Sequence, residues 1–137
     1  MKKCINLLQE KIEKAFEECG YNSKYGRVIN SNRPDLCECQ CDGALMAAKE
    51  YKKAPIIIAE GIAQKCKECE EFESIEAVKP GFINFNISKE YLTKYCNDII
   101  NDEKFGCTME NDKTVVIDYG GPNIAKPLHV GHLRPAI

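Results

Sequence analysis

Phe72–Ile87 reads FESIEAVKPGFINFNI, two apolar–polar alternating runs separated by Lys79-Pro80-Gly81. Alternation with period two is the pattern of a strand with one covered face, and Pro-Gly between two such runs marks a turn. The reading is a hairpin of Phe72–Val78 and Phe82–Ile87. In its second half Phe82, Asn84 and Asn86 fall on one face, and Ile83, Phe85 and Ile87 on the other. One face is apolar, so the hairpin is expected to cover helices.

Helical patterns surround it. Ser88 is an N-cap candidate for a helix carrying Tyr91, Leu92, Tyr95, Cys96, Ile99 and Ile100. Upstream, Pro55 suits a first helical turn, and the helix it opens is expected to reach Glu70 with Ile57, Ile58, Gly61 and Ile62 facing inward. Asp42 or Gly43 starts another, through Lys53, packing through Ala44, Leu45, Ala47, Ala48 and Tyr51. Leu36–Cys41 alternates and Val28-Ile29 is β-branched, so each is expected to be a strand, with Arg33-Pro34-Asp35 as a turn between them. Residues 3–19 repeat apolar side chains at helical spacing and Gly20 ends that helix. Two helix–strand–strand–helix arrangements in succession predict an α+β fold: a small antiparallel sheet of about four strands covered by helices. The expected division is a first domain over residues 1–106, a polar linker over 107–113, and the start of a second domain over 114–137.

The last stretch, Val115–Arg134, is VVIDYGGPNIAKPLHVGHLR. Thr114–Tyr119 is the kind of run that makes a buried strand, Gly120-Gly121-Pro122 stops it, and Pro127 is placed to begin a helix. His129 and His132, the chain's two histidines, would share one face of its first turn. A helix N-terminus favours phosphate, two imidazoles add donors, Gly131 permits close approach of a flat base, and Lys126 adds charge, so the arrangement suits a nucleoside triphosphate. A surface loop before an ordinary helix and a zinc site involving Asp118 are the other readings.

Composition bounds the function. The chain has 137 residues, 44% hydrophobic and 29% charged, which fits one ordinary globular core. A net charge of -2 means that any contact with nucleic acid is local. No apolar run approaches the roughly 20 residues of a membrane span, and the amphipathic start lacks a signal-peptide core; a cytoplasmic location is expected. Nine cysteines is a high, odd count. Cys37, Cys39 and Cys41 alternate and Cys66 and Cys69 form a CxxC, which leaves a non-catalytic metal-binding or interaction domain as an alternative to buried thiols; no bound metal is expected.

The run GGPNIAKPLHVGHLR resembles the HIGH signature of class I aminoacyl-tRNA synthetases, and IDYGGPN with AKP narrows the resemblance to arginyl-tRNA synthetases. ECQCDGALMAAK and PGFINFNIS are similar to signatures of that family's N-terminal additional domain. The resemblance implies activation of L-arginine by ATP with Mg2+, then transfer to tRNA(Arg). It places His129, Gly131 and His132 against ATP, with both histidines and Lys126 stabilising charge on the phosphates as the catalytic groups. It places Asn123 and Asp118 at the arginine, a carboxylate matching a guanidinium in charge and geometry. The second domain would be the first strand and helix start of a Rossmann-type fold, so these 137 residues alone are expected not to catalyse. The parent is expected to be monomeric, while this piece is expected to be mobile or to self-associate through the unpaired strand of its tail.

The resemblance also implies that the N-terminal domain touches the tRNA elbow, at the D loop. Gln40 is the matching polar position, and Arg33, Lys49, Lys52 and Lys53 are the candidate phosphate contacts. Cys39 and Asp42 stand where relatives carry an aromatic residue and an asparagine. Phe85, on the apolar face, is expected in the core.

Overall fold

The computed structural model describes residues 2–107, 114–117, 127 and 129–132. The hairpin forms as its alternation requires. Strand β3 (Phe72–Val78) pairs antiparallel with β4 (Phe82–Ile87), Val78 opposite Phe82 and Ile75 opposite Phe85, with a bulge between Phe72 and Ser74. The other edge of β4 takes β2 (Cys39–Cys41), Cys39 opposite Phe85 and Cys41 opposite Ile83. A two-residue β1 (Ile29–Asn30) completes a sheet of order β1-β2-β4-β3. The α+β expectation holds: among the described residues four α-helices accompany this four-stranded antiparallel sheet.

Helices α1 (Cys4–Glu18), α2 (Gly43–Tyr51) and α3 (Pro55–Cys66) bury their apolar stripes with one face of the sheet. Leu8, Ile12 and Phe16 of α1, Ala44 and Ala47 of α2, and Ile58 and Ile62 of α3 join Cys39, Cys41, Ile83 and Phe85 in a single core. Burying such side chains supplies most of the driving force for folding. One charge is drawn in with them: Glu71 is buried, and Lys11 of α1 reaches it at 2.8 Å. Helix α4 (Lys89–Asn101) follows the hairpin and has no buried residue; Tyr91, Leu92, Tyr95 and Ile99 are half-buried, Cys96 and Ile100 exposed.

Several boundaries differ from the sequence reading, each for a local reason. Strand β2 begins at Cys39 rather than Leu36, because the amides of Leu36 and Cys37 both donate to the Arg33 carbonyl and prolong the turn. Helix α3 stops at Cys66, where the Cys69 amide donates to the Cys66 carbonyl and the chain turns toward β3. Ile57 is 59% exposed, one position out of phase with the Ile58–Ile62 stripe. Asp42 occupies the N-cap position of α2 without a side-chain cap bond. Residues 114–117 are exposed and outside any strand, against the expected buried strand; a strand needs a ladder partner, and the sheet among the described residues does not include them. Residues 108–113 of the expected linker lie outside the described residues.

The cap of α4 is as expected. Ser88 Oγ accepts from the Tyr91 amide at 3.3 Å and donates to Glu90 Oε2 at 3.1 Å, satisfying a first-turn N–H and placing a carboxylate at the positive helix end. Ser88→Ala is expected to cost about 1 kcal/mol, read as a lower urea midpoint at unchanged slope.

Candidate nucleic-acid interface and nucleotide-binding segment

The sheet's second face is polar, and antiparallel register decides which of its side chains meet. Ile29, Gln40, Asn84 and Glu76 form one cross-strand row. In it Gln40 Nε2 donates to Asn84 Oδ1 at 2.9 Å. Gln40 Oε1 and Asn84 Nδ2 have no hydrogen-bond partner among the described residues; Gln40 is half-buried, and Asn84, in the middle of the sheet, is 8% exposed. Beyond Asn84 along β4, Asn86 Nδ2 donates to Ser74 Oγ at 3.0 Å, while Asn86 Oδ1 accepts from the Glu38 amide at 2.9 Å. On the other side of Asn84, Phe82 is half-buried, on the same face by alternation and opposite the exposed Val78. An aromatic ring and two linked amides with a free acceptor and a free donor are what an unstacked base requires: a platform and an edge to read.

Sequence alone does not set Asn84 beside Gln40. The alternation of FINFNI places Phe82 and Asn84 on one face; the β2–β4 register that brings Gln40 alongside joins positions 44 apart in the chain. Phe85 is in the core at 1% exposure, as its face required.

The expected cations are not brought to this row. Arg33, exposed, forms a two-bond fork with Asp35, Nε–Oδ1 3.0 Å and Nη2–Oδ2 2.8 Å. That hydrogen-bonded guanidinium holds the Asp35 carboxyl below its ordinary pKa. Lys49 and Lys52 lie at the C-terminal end of α2, whose Ala44 and Ala47 pack on the covered face of the sheet. Lys52 itself is the left-handed C-cap, φ 51°. Lys53 Nζ donates to Tyr21 Oη at 3.2 Å and sits 5.2 Å from that ring's centroid, so its charge is held against an aromatic pair, Tyr21 and Tyr51, whose centroids are 5.0 Å apart.

Of the C-terminal signature, the described part is short. Val130–His132 forms a single 3-10 turn, so the helix expected from Pro127 is not formed there; a turn of three residues gives no extended helix face. His129 is exposed and its Nδ1 accepts from the Gly131 amide at 3.1 Å. A neutral imidazole accepting at Nδ1 carries its proton on Nε2. A Cβ on Gly131 would stand 2.9 Å from His129 Cε1, so glycine is the residue that allows the ring this close. The His132 backbone is part of the turn. Asp118, Asn123 and Lys126 lie outside the described residues.

All nine cysteines are free thiols. Cys39 and Cys41 share the core face of β2, while Cys37 is buried ahead of it. Burial pushes the Cys39 thiol up to about 11 and those of Cys41 and Cys66 up to about 12. A metal ligand must be the thiolate, which this burial disfavours. Among the described residues no group of three or more His, Cys, Asp or Glu side chains is placed to hold a metal ion.

Comparison with known proteins is consistent across sequence and structure. The family described as "Arginyl tRNA synthetase N terminal domain" matches residues 5–87, and that described as "tRNA synthetases class I (R), catalytic domain" matches residues 52–137. An arginine–tRNA ligase of Agathobacter rectalis is 55% identical over 141 residues, covering 100% of this chain and 23% of the relative. One from Alkaliphilus oremlandii is 51% identical over 138 residues, covering 100% of this chain and 24% of the relative. The chain therefore spans about a quarter of the length of these curated relatives. Among solved structures, arginyl-tRNA synthetase from Plasmodium falciparum superposes with a TM-score of 0.66 at 26% identity, over 98% of this chain and 26% of that one. The Thermus thermophilus enzyme does so at 0.58 and 24% identity, over 96% and 21%, a likeness of fold.

Proposed function

Because the chain belongs to the arginyl-tRNA synthetase family, we propose that it serves the ligation of L-arginine to tRNA(Arg), residues 1–106 contacting the tRNA elbow and residues 114–137 contributing to the ATP and arginine site. The observation that carries the elbow reading is the Gln40–Asn84 amide pair on the polar sheet face, with Phe82 two positions away. The Gln40 acceptor and the Asn84 donor read the edge of a base displaced from its stack, and Phe82 supplies the face on which it rests. Fixing one amide against the other sets which atom each turns to the RNA. Arg33, exposed beside the start of β2, takes a phosphate in place of Asp35, because the exposed pair exchanges readily for a doubly hydrogen-bonded phosphate oxygen pair. Lys49, Lys52 and Lys53 contact the backbone farther from the base, over the helix layer.

In the second part, His129 stands beside the phosphates, its ring oriented by the Gly131 amide that donates to Nδ1. His132 and Lys126 add charge that stabilises the phosphates as the adenylate forms, and Asp118 and Asn123 hold arginine. Class I synthetases use ATP. The described residues offer no metal-binding group, and the Mg2+ implied for the family would enter as an ion carried on the nucleotide phosphates; no step here depends on it. No helix among the described residues is long and apolar enough to cross a membrane, and the reading places the protein in the cytoplasm.

The test is a binding titration of the chain with arginine tRNA and with total tRNA at two salt concentrations, with Gln40→Ala and Asn84→Ala alongside. Selective, salt-sensitive binding is expected. Each substitution is expected to weaken it about tenfold, on the order of 1.4 kcal/mol for a lost hydrogen bond to the base. Absence of binding at low salt, or unchanged binding by both variants, would remove the elbow reading.

A further inference from the structure

Two thiols with no part in the proposed function meet at the junction of α3 and β3. Cys66 is the last residue of α3 and is 1% exposed, while Cys69 is half-buried. The Cys69 amide donates to the Cys66 carbonyl at 3.1 Å, closing a turn in which the two residues stand as first and fourth. Such a turn keeps the two Cα atoms within about 7 Å, the reach of a disulfide. The two side chains are close enough that a charge on one disfavours a charge on the other. Lys11 of α1 pairs with the buried Glu71, two residues beyond Cys69. Cys19, the C-cap of α1, is the third thiol near Cys66.

We propose that Cys66 and Cys69 form a dithiol that closes reversibly to an intramolecular disulfide, with Cys69 as the entry thiol and a small-molecule disulfide as oxidant. Cys69 loses its proton to water and its thiolate attacks one sulfur of the oxidant, expelling one thiolate and leaving a mixed disulfide on Cys69. Cys66 then gives up its proton and attacks Cys69 Sγ, expelling the second thiolate. Two protein thiols are oxidised, one disulfide is reduced to two thiols, and the two protons end on the leaving groups. The order follows from burial, because an outside disulfide reaches Cys69 and not Cys66. Closure ties the end of α3 to the turn whose Cys69 carbonyl accepts from the Phe72 amide at 3.3 Å, where edge strand β3 begins.

Burial also sets the kinetics. With the Cys66 thiol held up to about 12, the mixed disulfide is expected to close about tenfold faster for each pH unit between 7 and 9. The experiment exposes the 137-residue chain to glutathione disulfide, quenches with acid, alkylates under denaturing conditions and maps the peptides by mass. Expected is loss of two hydrogens shared by Cys66 and Cys69 while the other thiols are still alkylated. Cys69→Ser is expected to leave Cys66 fully alkylated, and Cys19→Ser to change nothing. A persistent glutathione adduct on Cys69 with Cys66 free, a Cys19–Cys66 pair, or unslowed oxidation of Cys66 in Cys69→Ser would overturn the proposal.

Discussion

Gly43→Ala is expected to destabilise the chain by about 3 kcal/mol or more, near the top of the range for single substitutions. Gly43 is the buried first residue of α2, and a Cβ there would lie 1.7 Å from the Tyr25 carbonyl oxygen and 2.6 Å from its carbon. Backbone has to move, and Tyr25 is held on several sides. Its carbonyl accepts from Cys41 Sγ at 3.4 Å, its ring lies 6.4 Å from that of Phe16, and its hydroxyl donates to Glu50. Urea denaturation should show a large fall in midpoint. Gly61→Ala is the control, since the nearest atom to its added Cβ is Cys19 Sγ at 4.0 Å. In mid-helix that change is expected to raise stability by up to about 1 kcal/mol.

Phe85→Ala is expected to cost roughly 3–5 kcal/mol, the price of emptying an aromatic site that cannot collapse. Phe85 sits on β4, paired on both edges, with Cys39 on one side and Ile75 on the other. Its ring meets Phe72 edge-on, centroids 5.0 Å apart at 75°. Calorimetric or urea unfolding measures the loss. Phe82→Ala, three positions earlier on the open face, is expected to change stability far less and RNA binding more, because its ring is not walled in by the core.

These two phenylalanines show what was legible. Alternation in FINFNI separated a core face from an open one, and the hairpin, its turn and the following Ser88 cap all form where the residue types placed them. Binary pattern reports a face and not a partner, however. Gln40 has Asn84 beside it because β2 inserts next to β4, and that pairing rests on α2 and α3 crossing back over the sheet. Helix ends were harder for a related reason. Lys67–Glu70 contains nothing that breaks a helix, and α3 stops earlier because the chain must turn to lay Phe72 into the core. For the lysines, sequence showed a charged helix end without its orientation; α2 covers the opposite side of the sheet from the Gln40 row. The strand expected at Thr114 depended on residues able to pair with it, which local propensity does not report.

Chemical footprinting of an arginine tRNA decides whether the polar sheet face reads its corner. With the chain bound, protection is predicted at the D loop, with its base-specific part lost in Gln40→Ala and Asn84→Ala while the backbone part persists. Protection confined to the acceptor end or the anticodon, or a D-loop footprint that both variants leave intact, would mean that the Gln40–Asn84 row does not read the elbow.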